Sequence, residues 1–136
     1  KQIASVLKLL GTRRAFVVHG SDGLDEITLT GATKVCELDN GQIKEYTLEP
    51  DSFELTPCLA KDISGGKPEE NANILKSILD GVKGPKRDIV LMNASAAIYA
   101  GGKAENFKTG MLLAKDSIDS GAAKQKLNDL CRLSHK

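Results

Sequence analysis

Three acidic residues fall close together in the segment HGSDGLDEIT, residues 19 to 28: Asp22, then Gly23 and Leu24, then Asp25 and Glu26. Carboxylates at this density suit a hard divalent cation, because Mg2+ prefers oxygen ligands and is commonly held by one or two carboxylates together with substrate phosphates. The same residues also suit a turn, with Asp22-Gly23 supplying its geometry and Asp25 and Glu26 left in solvent. Residue types alone leave both readings open. The spacing excludes an EF-hand, whose ladder of acidic positions ahead of the glycine is missing. Neighbouring side chains on an extended strand point to opposite faces, so Asp25 and Glu26 can serve one ligand cluster only if the chain bends between Gly20 and Glu26. Gly20 and Gly23 permit such a bend.

Other segments carry weaker chemistry. SGGKPEE, residues 64 to 70, places glycines ahead of a helix start, as a phosphate cradle does. Pro68 removes an N–H that an anion would need, and Glu69 with Glu70 puts negative charge at the same helix end. The Walker pattern also fails, since Lys61 and Pro68 stand where glycine and a hydroxyl residue are required. AGGK, residues 100 to 103, fails similarly at Ala97 and reads as a helix stop. His19 ends an apolar run and is expected to be a hydrogen-bonded structural residue, while His135 lies in a tail expected to fray. No G-x-S-x-G elbow is present. Arg13 and Arg14 read as solvated loop residues, with a phosphate contact as the sharper alternative. Cys36, Cys58 and Cys131 are odd in number and widely spaced, and they read as reduced, buried thiols of a cytosolic protein.

The acidic segment must be positioned by the elements around it. Ile3, Val6, Leu7 and Leu10 recur at helical spacing before Gly11, which predicts an amphipathic helix over residues 1 to 10. RRAFVVHG is an apolar run of strand length, of the kind found in a strand covered on both faces of a parallel sheet. Residues 33 to 48 predict an antiparallel hairpin turned by Asn40-Gly41, because both central residues of a type I′ turn need positive φ. Counting outward pairs Asp39 with Gln42, Leu38 with Ile43, Glu37 with Lys44, Cys36 with Glu45 and Val35 with Tyr46. The charges of Glu37 and Lys44 then meet on one face.

TPCLAKDISGGKPEEN reads as a connection. Pro68 starts a helix whose face is Ile74, Leu75, Ile78 and Leu79, with Gly81 as its stop. Gly84-Pro85 opens a second, expected to be the buried central helix, whose Ala94, Ala96, Ala97 and Ala100 let neighbours approach closely. Two amphipathic helices close the chain, divided near Ser120-Gly121, with Ser120 as N-cap of the last. The whole reads as an α/β layer with its helices gathered towards the C-terminal end.

The 136 residues suffice for one domain, since a chain of this size buries about 68% of its unfolded surface. Nineteen basic against eighteen acidic residues leave a charge of +1, which gives no electrostatic footprint for nucleic acid or an anionic membrane. No apolar run reaches the length of a membrane span, and a soluble, cytoplasmic protein is expected. The chain opens with KQIASVLKLLG, in what reads as the middle of a helix, so it is expected to be a piece of a longer protein.

RRAFVVHGSDGLDEIT resembles the corresponding segment of the anthranilate phosphoribosyltransferase family. The resemblance continues through GGKPEENANILKSILDGVKGPKRDIVLMNASAAIYAGG and SGAAKQKLNDL, and so covers essentially the whole chain. It implies that residues 1–136 are the C-terminal part of a nucleoside phosphorylase/phosphoribosyltransferase catalytic domain. It also implies transfer of the phosphoribosyl group from 5-phosphoribosyl 1-diphosphate to anthranilate, with Mg2+, in tryptophan biosynthesis. The adjacent acidic pair of the family's GLDE motif binds magnesium, which falls on Asp25 and Glu26.

What the resemblance does not supply is equally informative. The family's glycine-rich diphosphate loop, its Lys-His-Gly-Asn-like segment, its anthranilate-carboxylate arginine and the helical domain through which it dimerises all lie upstream of the matched region. No catalytic or further substrate-binding residue is therefore assigned within the chain, which is expected to be inactive alone and homodimeric when intact. Two alternatives remain: a related pyrimidine nucleoside phosphorylase, against which the acidic pair argues, and a non-catalytic binding relative of the same fold.

Overall fold

In the computed structural model, which describes residues 1 to 134, the chain runs through helix α1 (Gln2–Leu9) and strands β1 (Arg14–Gly20), β2 (Thr33–Asp39) and β3 (Gln42–Leu48). A 3-10 turn over Pro50–Phe53 follows, then helices α2 (Ala60–Ile63), α3 (Pro68–Leu79), α4 (Pro85–Ala100), α5 (Phe107–Asp119) and α6 (Ala122–Ser134). His135 lies outside the described residues. The architecture is α/β: a three-stranded antiparallel sheet with flanking helices, in the strand order β1-β2-β3.

The hairpin has the register that its sequence predicts. Asp39 faces Gln42, Leu38 faces Ile43, and the pairs continue through Glu37 with Lys44, Cys36 with Glu45 and Val35 with Tyr46. Asn40 and Gly41 take φ of 46° and 82°, the left-handed conformation that the two-residue turn demands. The charge pairing differs. Glu37 accepts a 3.0 Å hydrogen bond from the Tyr46 hydroxyl, its diagonal neighbour, rather than pairing with Lys44. Burial and then the Glu37 carboxylate raise the Tyr46 phenol above its ordinary range.

Strand β1 departs from the expectation of a parallel sheet. It pairs antiparallel with β2 from Arg14–Asp39 to Gly20–Thr33, and among the described residues no strand occupies its other edge. Most of its residues are accordingly half-buried. An uninterrupted apolar run cannot distinguish a parallel partner from an antiparallel one, because it reports only that both faces resist water. Arg14 is no solvated loop residue either: its Nε donates to Asp39 Oδ1 at 2.9 Å, and its guanidinium lies 4.6 Å from the Tyr99 ring centroid. Arg13 is exposed.

Helix α1 leans on β1 and β2 through Ala4, which is fully buried. Its expected apolar face is turned elsewhere, with Ile3, Val6 and Leu10 exposed and Leu7 half-buried.

The core joins the acidic loop to the helices: Ile27 and Leu29 pack with Leu91 and Met92 of α4 and Met111 and Ile118 of α5. Burying each such side chain is worth roughly 1.5 to 3 kcal/mol. Helix α4 is central, as expected, but its close contact is made at Gly110 on α5, where an added Cβ would lie 2.6 Å from the Ser95 carbonyl oxygen. Ala96, Ala97 and Ala100 instead line a cleft of about 230 Å3 with Phe16, Val18, Ile27 and Asn93. Ser120 completes α5 rather than capping α6 well, its Oγ lying 3.5 Å from the Ala122 N–H. The cap at the other end of α5 is Asn106, whose side chain accepts from the Thr109 N–H at 2.9 Å.

Candidate functional site: the acidic loop

Residues 21 to 32 leave β1 and return to β2 as a closed loop. The Ser21 N–H donates to the Ala32 carbonyl at 2.8 Å, closing its base. The chain bends where the glycines permit it: the Gly20 N–H donates to the Leu24 carbonyl at 2.9 Å, and Gly23 takes φ 92°. Gly20 also makes room, since a Cβ there would lie 2.5 Å from Asp22 Oδ1. Beyond the acidic pair, Ile27, Thr28 and Leu29 are all buried and anchor the loop to the core.

The three carboxylates have separate fates. Asp22 is consumed by the loop: its Oδ1 accepts from the Leu24 N–H at 3.1 Å, and its Oδ2 accepts from the Thr28 and Thr30 hydroxyls at 2.5 and 2.6 Å. Desolvation opposes ionisation of the exposed Asp22, but these hydrogen bonds outweigh it and hold the carboxyl below its ordinary range. Asp25 is exposed and Glu26 half-buried, and among the described residues neither side chain makes a hydrogen bond or ion pair. Burial raises Glu26, and the negative charges of Asp25 and then Asp22 raise it further.

Glu26 lines two clefts between the loop and the α2–α3 region. One, of about 340 Å3, is shared with Asp22, Ile63 and Ser64; the other, of about 260 Å3, is shared with Asn71 and Lys86. Among the described residues no three His, Cys, Asp or Glu side chains form a group that could hold a metal by themselves. A divalent cation at this loop would have to draw most of its oxygens from a ligand or water. Glu26 faces these clefts, which Asp25 does not line, and neither carboxylate forms an ion pair among the described residues.

The remaining candidates fall into structural roles. The glycine-rich SGGKPEE segment is filled by its own side chains. Asn71 Oδ1 accepts from the Gly66 N–H and Glu70 Oε2 from the Lys67 N–H, each at 2.8 Å, which occupies donors that a phosphate would use. His19 is exposed and makes no side-chain hydrogen bond among the described residues, contrary to expectation, because it stands on an open sheet face beside Lys34. Of the cysteines expected to be buried, Cys36 is buried, Cys58 half-buried and Cys131 exposed. Burial, followed by Asp62 and Asp88, raises the Cys58 thiol.

One residue that holds the loop escapes the sequence reading. Asn93 of α4 accepts from the Ile27 N–H at 2.9 Å and donates to the Ile27 and Ile89 carbonyls at 2.8 and 3.0 Å, which pins the residue after Glu26 to the central helix. The available signal was a lone amide within the apolar and small residues of DIVLMNASAA.

The α/β layer agrees with the family comparison. Residues 1–124 match the family model described as the a/b domain of the glycosyl transferase family, and the chain belongs to that family. More particularly, it is 47% identical over 136 residues to anthranilate phosphoribosyltransferase of Desulfatibacillum aliphaticivorans, a match that covers all of this chain and 40% of the relative. It is 50% identical over 134 residues to that of Methanocorpusculum labreanum, covering 98% of this chain and 39% of the relative.

Solved structures agree. The crystal structure of anthranilate phosphoribosyltransferase from Thermus thermophilus superposes with a TM-score of 0.84 at 38% identity, covering 93% of this chain and 37% of that one. The Saccharomyces cerevisiae enzyme in complex with PRPP and Mg gives 0.75 at 34% identity, covering 83% and 33%. The chain thus spans about two fifths of the length of the curated relatives it matches.

Proposed function

We propose that this chain is the C-terminal part of the catalytic domain of an anthranilate phosphoribosyltransferase. In that reading the intact enzyme transfers the phosphoribosyl group of 5-phosphoribosyl 1-diphosphate to the amine of anthranilate, giving N-(5-phosphoribosyl)anthranilate and diphosphate. The observation that carries the proposal is the pair of unpartnered carboxylates, Asp25 and Glu26, on a loop within a chain about half identical to enzymes of that name.

Asp25 and Glu26 are the residues that would hold Mg2+. The ion, when bound, offsets the negative charge that grows on the departing diphosphate. The chain's own contribution is to place two carboxylates at consecutive positions, neither tied up in an ion pair among the described residues. Ile27 and Leu29 fix the loop against α4 and α5, so that the donors are presented from a rigid base. The diphosphate loop and the anthranilate-binding groups are assigned to segments outside these 136 residues. The chain alone is therefore inactive, and the intact enzyme is a homodimer through those other segments. Cys36, buried as a thiol, fits a reducing compartment, and the cytoplasm is the proposed location.

The test uses the full-length polypeptide and the fluorescence of anthranilate to follow its consumption. Asp25→Ala and Glu26→Ala are each expected to lower turnover at limiting magnesium by about a hundredfold, the scale of losing one preorganised electrostatic contact. Undiminished turnover in both variants would remove the role assigned to the pair.

A further inference from the structure

The residues on either side of the acidic pair have their backbone groups held. Before it, the Leu24 N–H donates to Asp22 Oδ1 and the Leu24 carbonyl accepts from the Gly20 N–H. After it, the Ile27 N–H donates to Asn93 Oδ1 and the Ile27 carbonyl accepts from Asn93 Nδ2. We propose that Asp22 and Asn93 are positioning residues of the cation site, bracing the Asp25–Glu26 segment from its two ends. This rests on the assignment of that pair to Mg2+.

Hydrogen bonds within the protein reach every side-chain polar atom of these two residues, as an orienting role requires. Both oxygens of Asp22 are engaged, one by an amide and the other by the hydroxyls of Thr28 and Thr30. Thr28 is itself fully buried and receives the Thr30 N–H at 3.1 Å, so the brace continues into the interior. Asn93 spends its carbonyl on Ile27 and its NH2 on Ile27 and Ile89, 66 and four residues away in sequence. The loop is thereby referenced to helix α4 rather than only to itself. Groups that orient the first donors around a metal commonly affect its affinity about 10- to 100-fold without touching it.

The experiment measures Mn2+ binding to the full-length polypeptide by the electron paramagnetic resonance of free Mn2+, with inorganic diphosphate present and thermal unfolding followed in parallel. Asp22→Ala and Asn93→Ala are each expected to weaken Mn2+ binding about tenfold or more. They should also raise the magnesium concentration for half-maximal turnover, with turnover at saturating magnesium largely retained. Asp22→Asn keeps an oxygen for the Leu24 N–H and turns its NH2 to the two hydroxyls, which then accept instead of donating, and should recover most of the loss.

Asp25→Ala and Glu26→Ala serve as controls. Lost binding in the controls with unchanged binding in folded Asp22→Ala and Asn93→Ala overturns the brace and leaves the cation assignment standing. Unchanged binding in the controls overturns the cation assignment, and the brace with it. An Asp22→Asn protein as impaired as Asp22→Ala overturns the positioning role, because the charge itself then serves the ion. Should Asp22→Ala fail to fold, Thr30→Val removes one of the two hydroxyl donors. It is expected to weaken Mn2+ binding in the same direction, and unchanged binding there overturns the proposal.

Discussion

Asp22 and Asp25 carry the same functional group three positions apart, yet one is saturated with hydrogen bonds and the other has none among the described residues. This division has a measurable signature. Because the folded state holds the Asp22 carboxyl below its unfolded value, the stability it contributes is present above about pH 4 and is lost as pH falls through the folded pKa. The stability gap between the unsubstituted protein and Asp22→Asn, followed by urea unfolding, is therefore expected to narrow as pH drops below about 4. A gap that stays constant through that range would mean that the carboxylate is not specially stabilised. The sequence made the acidic cluster visible but could not apportion it. Nothing in SDGLDEITLT says that Thr28 and Thr30 will turn their hydroxyls onto Asp22, and the Asn93 contact joins positions 66 residues apart.

At the scale of elements, local chemistry was legible and long-range packing was not. The hairpin follows from Asn40-Gly41, because a two-residue turn sets every pair outward from it. The partner of β1 and the rotation of α1 depend on surfaces far away in sequence, and both differ from the expected arrangement. The α4–α5 contact belongs to the same category, since its tightest point is a glycine on α5 rather than the alanines of α4. Gly110→Ala would place a methyl 2.6 Å from the Ser95 carbonyl oxygen and 3.1 Å from its Cα, and backbone on both sides cannot yield cheaply. A loss of about 1 to 3 kcal/mol is expected in denaturant unfolding of the full-length polypeptide. Unchanged stability in the Gly110→Ala protein would show that the two helices can part at no cost.

At the scale of the whole molecule, α1 displays Ile3, Val6 and Leu9 to solvent, as does Leu10 just beyond it, and the curated relatives are about two and a half times as long as this chain. The isolated 136 residues are accordingly predicted to give no magnesium-dependent consumption of anthranilate at concentrations where the full-length polypeptide turns over. Activity in the isolated chain would place the missing substrate groups within it. No described helix is long and apolar enough to cross a membrane.

The two braces of the acidic loop also differ in how far the chain must travel to make them. Asp22 reaches Thr28 and Thr30 across six and eight positions, whereas Asn93 reaches Ile27 across 66. Loop-closure entropy rises with the logarithm of the separation, so the hydroxyl knot is the cheaper to tie and is expected to form before α4 docks. The loop would thus acquire its curvature early and its orientation late.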